Sequence, residues 1–114
     1  MSRIEAKQSP IFTKTEAFMG WLLNHTAHYP RIERFRLAAQ IDGALFAFHE
    51  SLLRAALSEE QKPYLLEADV QLQKLRTLLR LAVELGYTTS DQFFFASQHT
   101  TEIGRLLGGW MRSS

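Results

Sequence analysis

Residues 65–86 read LLEADVQLQKLRTLLRLAVELG, and the way this stretch distributes its leucines decides the fold. Wound as a helix at about 100° per residue, it puts Leu65, Ala68, Leu72, Leu75, Leu79 and Val83 on one arc. Val70, Leu78, Leu81 and Leu85 form a second apolar surface roughly opposite. A helix in a lone bundle buries one such face, so the second predicts contact with another subunit. The only cationic stripe is set by Arg76 and Arg80, and the sequence holds no acid between Asp69 and Glu84.

The rest of the chain supplies partners for that helix. With 114 residues and 46% hydrophobic content, it fits one domain with a core of its own. Apolar runs fall far short of the roughly 18 to 20 residues that cross a bilayer. MSRIEAKQSP carries no hydrophobic signal core, so the expected location is cytoplasmic, with no membrane contact. The absence of cysteine rules out disulfide scaffolds and thiolate zinc sites.

Four helices are expected. Residues 1–12, with Ser9-Pro10, read as an N-terminal arm, and residues 13–114 as the bundle. Helix one starts near Thr13 or Thr15, where Thr13 to Glu16 imitates a capping box, and ends at Tyr29-Pro30. Helix two is expected from about Arg31, with Pro30 near its first turn, to about Leu57; Phe35, Ile41, Leu45, Phe48 and Leu52 are among its apolar positions. Helix three spans roughly Pro63 to Leu85 and stops at Gly86. Thr88 to Asp91 offers capping chemistry for helix four, which reaches about Met111. On that last helix Ser97, Gly104 and Gly108 make a stripe almost without side-chain volume, predicting another backbone close against it. Short links and no strand signal give an all-α, antiparallel up-down four-helix bundle.

Catalytic and metal chemistry find little support. His25-x-x-His28 places two imidazoles on one face, but the Glu-x-x-His pairs of di-iron bundles do not occur. There is no Gly-x-Ser-x-Gly elbow and no phosphate-cradling glycine loop. The reading is a non-enzyme without cofactor or metal.

Charge is nearly balanced, at net +1, but nine of the 13 cations are arginine, which suits phosphate or carboxylate recognition better than lysine. They concentrate in Arg31, Arg34 and Arg36, in Lys74, Arg76 and Arg80, and in Arg105 and Arg112. Arg76 and Arg80 admit two roles: an ion-pair network with acids such as Asp69, on the same flank two turns away, or a strip that binds a polyanion. Consecutive Phe93, Phe94 and Phe95 diverge by about 100° each, so at least one ring is exposed or lies between subunits.

Three segments together resemble a family: Tyr29-Pro30-Arg31-x-x-Arg34-Phe35, Leu66-x-x-Asp69-x-x-Leu72-x-x-Leu75-Arg76-x-x-Leu79-Arg80, and Ile103-Gly104-Arg105-Leu106-Leu107-Gly108-Gly109-Trp110. The chain resembles the Avd-like four-helix bundles over about residues 13–112. These include the accessory variability determinant of diversity-generating retroelements and the bundle proteins encoded in 23S ribosomal RNA intervening sequences. The resemblance implies a homopentameric barrel, without catalysis, that binds RNA or DNA and the retroelement reverse transcriptase. It carries nucleic-acid or partner binding onto Arg76, Arg80, Arg31 and Arg34, with Lys74 and Arg105 beside them. Val70, Leu78, Leu81, Leu85 and Phe95 are the expected oligomer interface. The alternative is an oligomeric structural bundle of the intervening-sequence type, without a nucleic-acid role. The chain departs from its relatives in being close to neutral, though a fivefold ring would repeat each arginine cluster around one axis.

Overall fold

The long leucine-rich stretch forms a helix of 23 residues, Lys62–Glu84, that turns Leu65, Ala68, Leu72, Leu75, Leu79 and Ala82 into the core. The computed structural model describes residues 9–114. Four α-helices follow one another: α1 (Ser9–Thr26), α2 (Leu37–Ala56), α3 (Lys62–Glu84) and α4 (Ser90–Ser113), with a 3-10 turn at Arg31–Glu33 between α1 and α2. No strand occurs among the described residues. Helix α1 packs on α2 and α4, and α3 packs on α2 and α4, which closes a four-helix bundle around one core.

Local chemistry sets most boundaries. Gly86, at φ +82°, ends α3 in a left-handed conformation that side chains rarely adopt. The N–H of Gly86 donates to the Val83 carbonyl at 3.0 Å and that of Tyr87 to Ala82 at 2.9 Å, so the last carbonyls are capped. At the start of α4, the Thr89 hydroxyl accepts from the Gln92 N–H at 3.1 Å and the Gln92 amide oxygen accepts from the Thr89 N–H at 2.9 Å. That reciprocal pair is a capping box.

Two expected boundaries move. Helix α1 is already formed at Ser9, and Ile11 and Phe12 are buried, so Thr13 to Glu16 lies inside the helix rather than capping it. Phe12 explains the extension: it packs on Trp110 and His49, at ring distances of 6.1 and 6.3 Å, and burial outweighs the weak local pattern. Residues 1–8 of the expected arm lie outside the described residues. Helix α2 does not run from Arg31. The chain makes one 3-10 turn, breaks at Arg36 (φ −116°, ψ −104°), and restarts at Leu37. Glu33 accounts for the break. Its carboxylate, only 2% exposed, accepts from the Leu37 N–H at 3.4 Å and replaces an intrahelical acceptor with a charge at the helix N-terminus.

Phe35 is a consequence. Expected among the apolar positions of helix two, it instead sits in the break and is 86% exposed. Phe48, Ile41, Leu45 and Leu52 do face the core. The glycine stripe on α4 also has a different neighbour from the one expected. A Cβ added at Gly104 would meet the Leu72 side chain at 3.4 Å and the Arg76 guanidinium at 3.7 Å, and one at Gly108 would meet the Arg112 guanidinium at 3.4 Å. Side chains, not a backbone, cover the stripe.

Candidate nucleic-acid interface

Helix α3 carries Arg76 at the edge of its buried arc, on the side that faces α4. The side chain is half-buried and lies over Gly104, and its Nη2 donates to the Thr101 hydroxyl at 3.4 Å. One turn on, exposed Arg80 donates to the Thr77 hydroxyl at 3.2 Å. Neither makes an ion pair among the described residues. Asp69, the acid on their flank, accepts instead from the Gln73 amide at 3.3 Å. Arg76 over Gly104 and Arg112 over Gly108 thus lie along the seam between α3 and α4, and Arg80 stands one turn further along α3, about 40° around it from Arg76.

Other cations are spent differently. Arg54 is held by Glu50 at 2.7 Å, Lys14 by Glu102 at 3.3 Å and Arg36 by Glu33 at 3.4 Å. None of Arg31, Arg34, Lys74, Arg76, Arg80 and Arg105 has an acid partner among the described residues. They do not form one patch, however. Arg76 and Arg80 share the α4 side of α3. Lys74, at about 160° from Arg76 around the helix, stands on the outer face with Val70 and Leu81. Arg105 is exposed on the outer side of α4, away from the buried arc of Ala96, Ile103 and Leu107. Arg31 and Arg34 line a cavity of about 210 Å³ between the end of α1 and the start of α2.

The second apolar face of α3 is uncovered within the chain. Val70 is 59% exposed, Leu66, Leu81 and Leu85 are also exposed, and Leu78 is half-buried against the core. Phe95 divides its surface: its ring lies 4.8 Å from Trp21 and 4.5 Å from His99, with the remainder open. Phe94, which sequence reasoning did not single out, is the most exposed of the three phenylalanines, while Phe93 packs against the core.

His25, His49 and His99 are neighbours of aromatic rings. His25 stacks on Trp21 at 4.9 Å, and its Nε2 lies 2.7 Å from the Thr88 hydroxyl, which Tyr29 also reaches at 2.6 Å. Burial, and secondarily His28, lowers the His25 pKa from its ordinary 6.5. His28 turns its Nδ1 to the Asn24 carbonyl at 2.8 Å, so the two imidazoles serve separate partners. Among the described residues no group of three or more His, Asp or Glu is arranged to hold a metal. Burial also raises the Tyr29 pKa. Tyr87 donates to the buried Glu33 carboxylate at 2.9 Å, and that bond holds its phenol protonated above the usual range.

Sequence reasoning missed Glu33, which reads as one more surface acid inside RIERFR, and Asp42, isolated on α2. Only the fold reveals that the first is buried and the second half-buried in the cavity of Arg31 and Arg34.

The sequence profile of the bAvd-like family matches residues 10–114, all but a few residues of the chain. The chain belongs to the bAvd-like family. No curated protein matches it. An all-helical bundle of four helices is what the Avd-like resemblance implied, and none of its helices among the described residues is long and apolar enough to cross a membrane.

Proposed function

We propose that this bAvd-like chain is a non-enzymatic accessory protein of a diversity-generating retroelement. It assembles as a homo-oligomer, a pentamer by family analogy, of up-down bundles through the outer face of α3. It binds single-stranded nucleic acid along the α3–α4 seam and presents the complex to a reverse transcriptase. Family membership supports the accessory role. The observation that carries the binding role is that Arg76 and Arg80 have no carboxylate partner among the described residues, although Asp69 stands on the same flank. Guanidiniums that held a bundle together would be matched with acids; these keep their hydrogen-bonding capacity for phosphate.

Assembly supports the same reading, because a near-neutral monomer repeated around an axis concentrates the seam arginines into a field that net charge conceals. The test is fluorescence anisotropy of a labelled single-stranded RNA titrated with the full chain at several salt concentrations. Binding should weaken steeply with salt, with a log–log slope near −0.7 for each phosphate neutralised. No binding at low salt would refute the proposal and leave the structural, intervening-sequence type of role.

A further inference from the structure

Three charged side chains line one cavity without neutralising each other. The cavity of about 210 Å³ is walled by Thr26, Tyr29 and Ala38, and its charges are Arg31, Arg34 and Asp42. Asp42 accepts from the Thr26 hydroxyl at 2.8 Å through Oδ1, and neither arginine pairs with it. Both arginines are exposed and Asp42 is half-buried, so the anion lies inward of the cations. Unlike charges held apart in one small pocket complement a ligand whose own charges are separated in the opposite sense. Such a ligand brings N–H donors to the inner end and an anion to the mouth.

We infer that this cavity is a nucleotide pocket that prefers guanine. Guanine offers its N1–H and exocyclic amine side by side, and one carboxylate accepts both, while the phosphate meets Arg31 and Arg34 at the rim. Adenine presents a lone pair where guanine has N1–H and so faces Asp42 with repulsion. The volume fits a base with its sugar outside, since pockets that enclose whole drug-sized ligands start at about 300 Å³. The inference rests on the nucleic-acid reading, but on residues separate from Arg76 and Arg80.

Isothermal titration of the full chain with GMP, AMP and inorganic phosphate tests it. GMP should bind about tenfold more tightly than AMP, the worth of one charge-assisted hydrogen bond, and phosphate more weakly than either. Asp42→Asn keeps an oxygen for Thr26 and should bring GMP to the level of AMP. Arg34→Ala, a change at an exposed side chain, should weaken both nucleotides alike. Equal affinity for GMP and AMP in the unmodified chain, or a preference that survives Asp42→Asn, would overturn the assignment. If labelled RNA binds and Arg76→Ala/Arg80→Ala abolishes this while the nucleotides show no preference, only the pocket fails. A GMP preference without RNA binding keeps the pocket and refutes the nucleic-acid seam.

Discussion

Single residues carry two signatures of how this bundle is closed. Thr15 is fully buried and its hydroxyl has no hydrogen-bond partner among the described residues, so the group has lost water without compensation from them. Thr15→Val, nearly the same shape, should stabilise the fold by about 1 kcal/mol in urea unfolding. Glu33 is the converse case, a buried carboxylate that satisfies Tyr87, the Leu37 N–H and Arg36 at once. Glu33→Ala should cost roughly 2 kcal/mol in the same measurement, because a phenol and a helix N-terminus are left unpaired. His25 supplies a pH dependence. Its folded pKa lies below the unfolded 6.5, so the unfolded chain takes up the proton more readily. Stability from this residue is complete above the unfolded value and is lost as pH falls through the folded one. Melting temperature should therefore decline as pH falls below the unfolded value of 6.5, and His25→Gln should flatten the decline. None of these roles was legible in the sequence, since a buried Glu or Thr in a helical pattern looks like any polar residue on a solvated face.

Elements were more legible than residues, and for a physical reason. Helix α3 obeys one period over its whole length, and its core arc follows that period, apart from Ala82 in place of Val83. Its end is set by Gly86, whose positive φ is a local requirement that the sequence advertises. The starts of α1 and α2 were misplaced because long-range contacts decide them: Trp110 and His49 receive Phe12, and Tyr87 receives Glu33. The stripe on α4 was recognised as a close-approach surface, but its occupant is the Arg76 side chain with Leu72. A methyl group at Gly104 meets both at ordinary contact distance, so Gly104→Ala should be neutral or stabilising by up to about 1 kcal/mol through helix propensity. Gly104→Leu should instead displace Arg76 and weaken RNA binding in the anisotropy titration without unfolding the chain. If Gly104→Leu left affinity unchanged, the seam between α3 and α4 would not be where the nucleic acid lies.

At the scale of the whole molecule, the family and the all-helical architecture were readable from three ordered segments and helical periodicity. The site was readable in part. The arginines were found, and that Lys74 faces away from Arg76 follows from the helical period alone, but that Arg31 and Arg34 share a pocket with Asp42 depends on how the chain turns at Arg36. The uncovered row of Leu66, Val70, Leu81 and Leu85 predicts an assembly larger than 13.1 kDa in solution. Leu81→Glu should reduce that mass toward the monomer, as measured by light scattering. The proposed function gives the outer leucines of α3 to assembly and its arginines to nucleic acid. The most direct test is the Arg76→Ala/Arg80→Ala double variant in chromatography coupled to light scattering, with labelled RNA in the same run. The protein mass should stay unchanged and the RNA should leave the protein peak; collapse to a monomer, or an intact assembly that still carries the RNA, would overturn the division of roles.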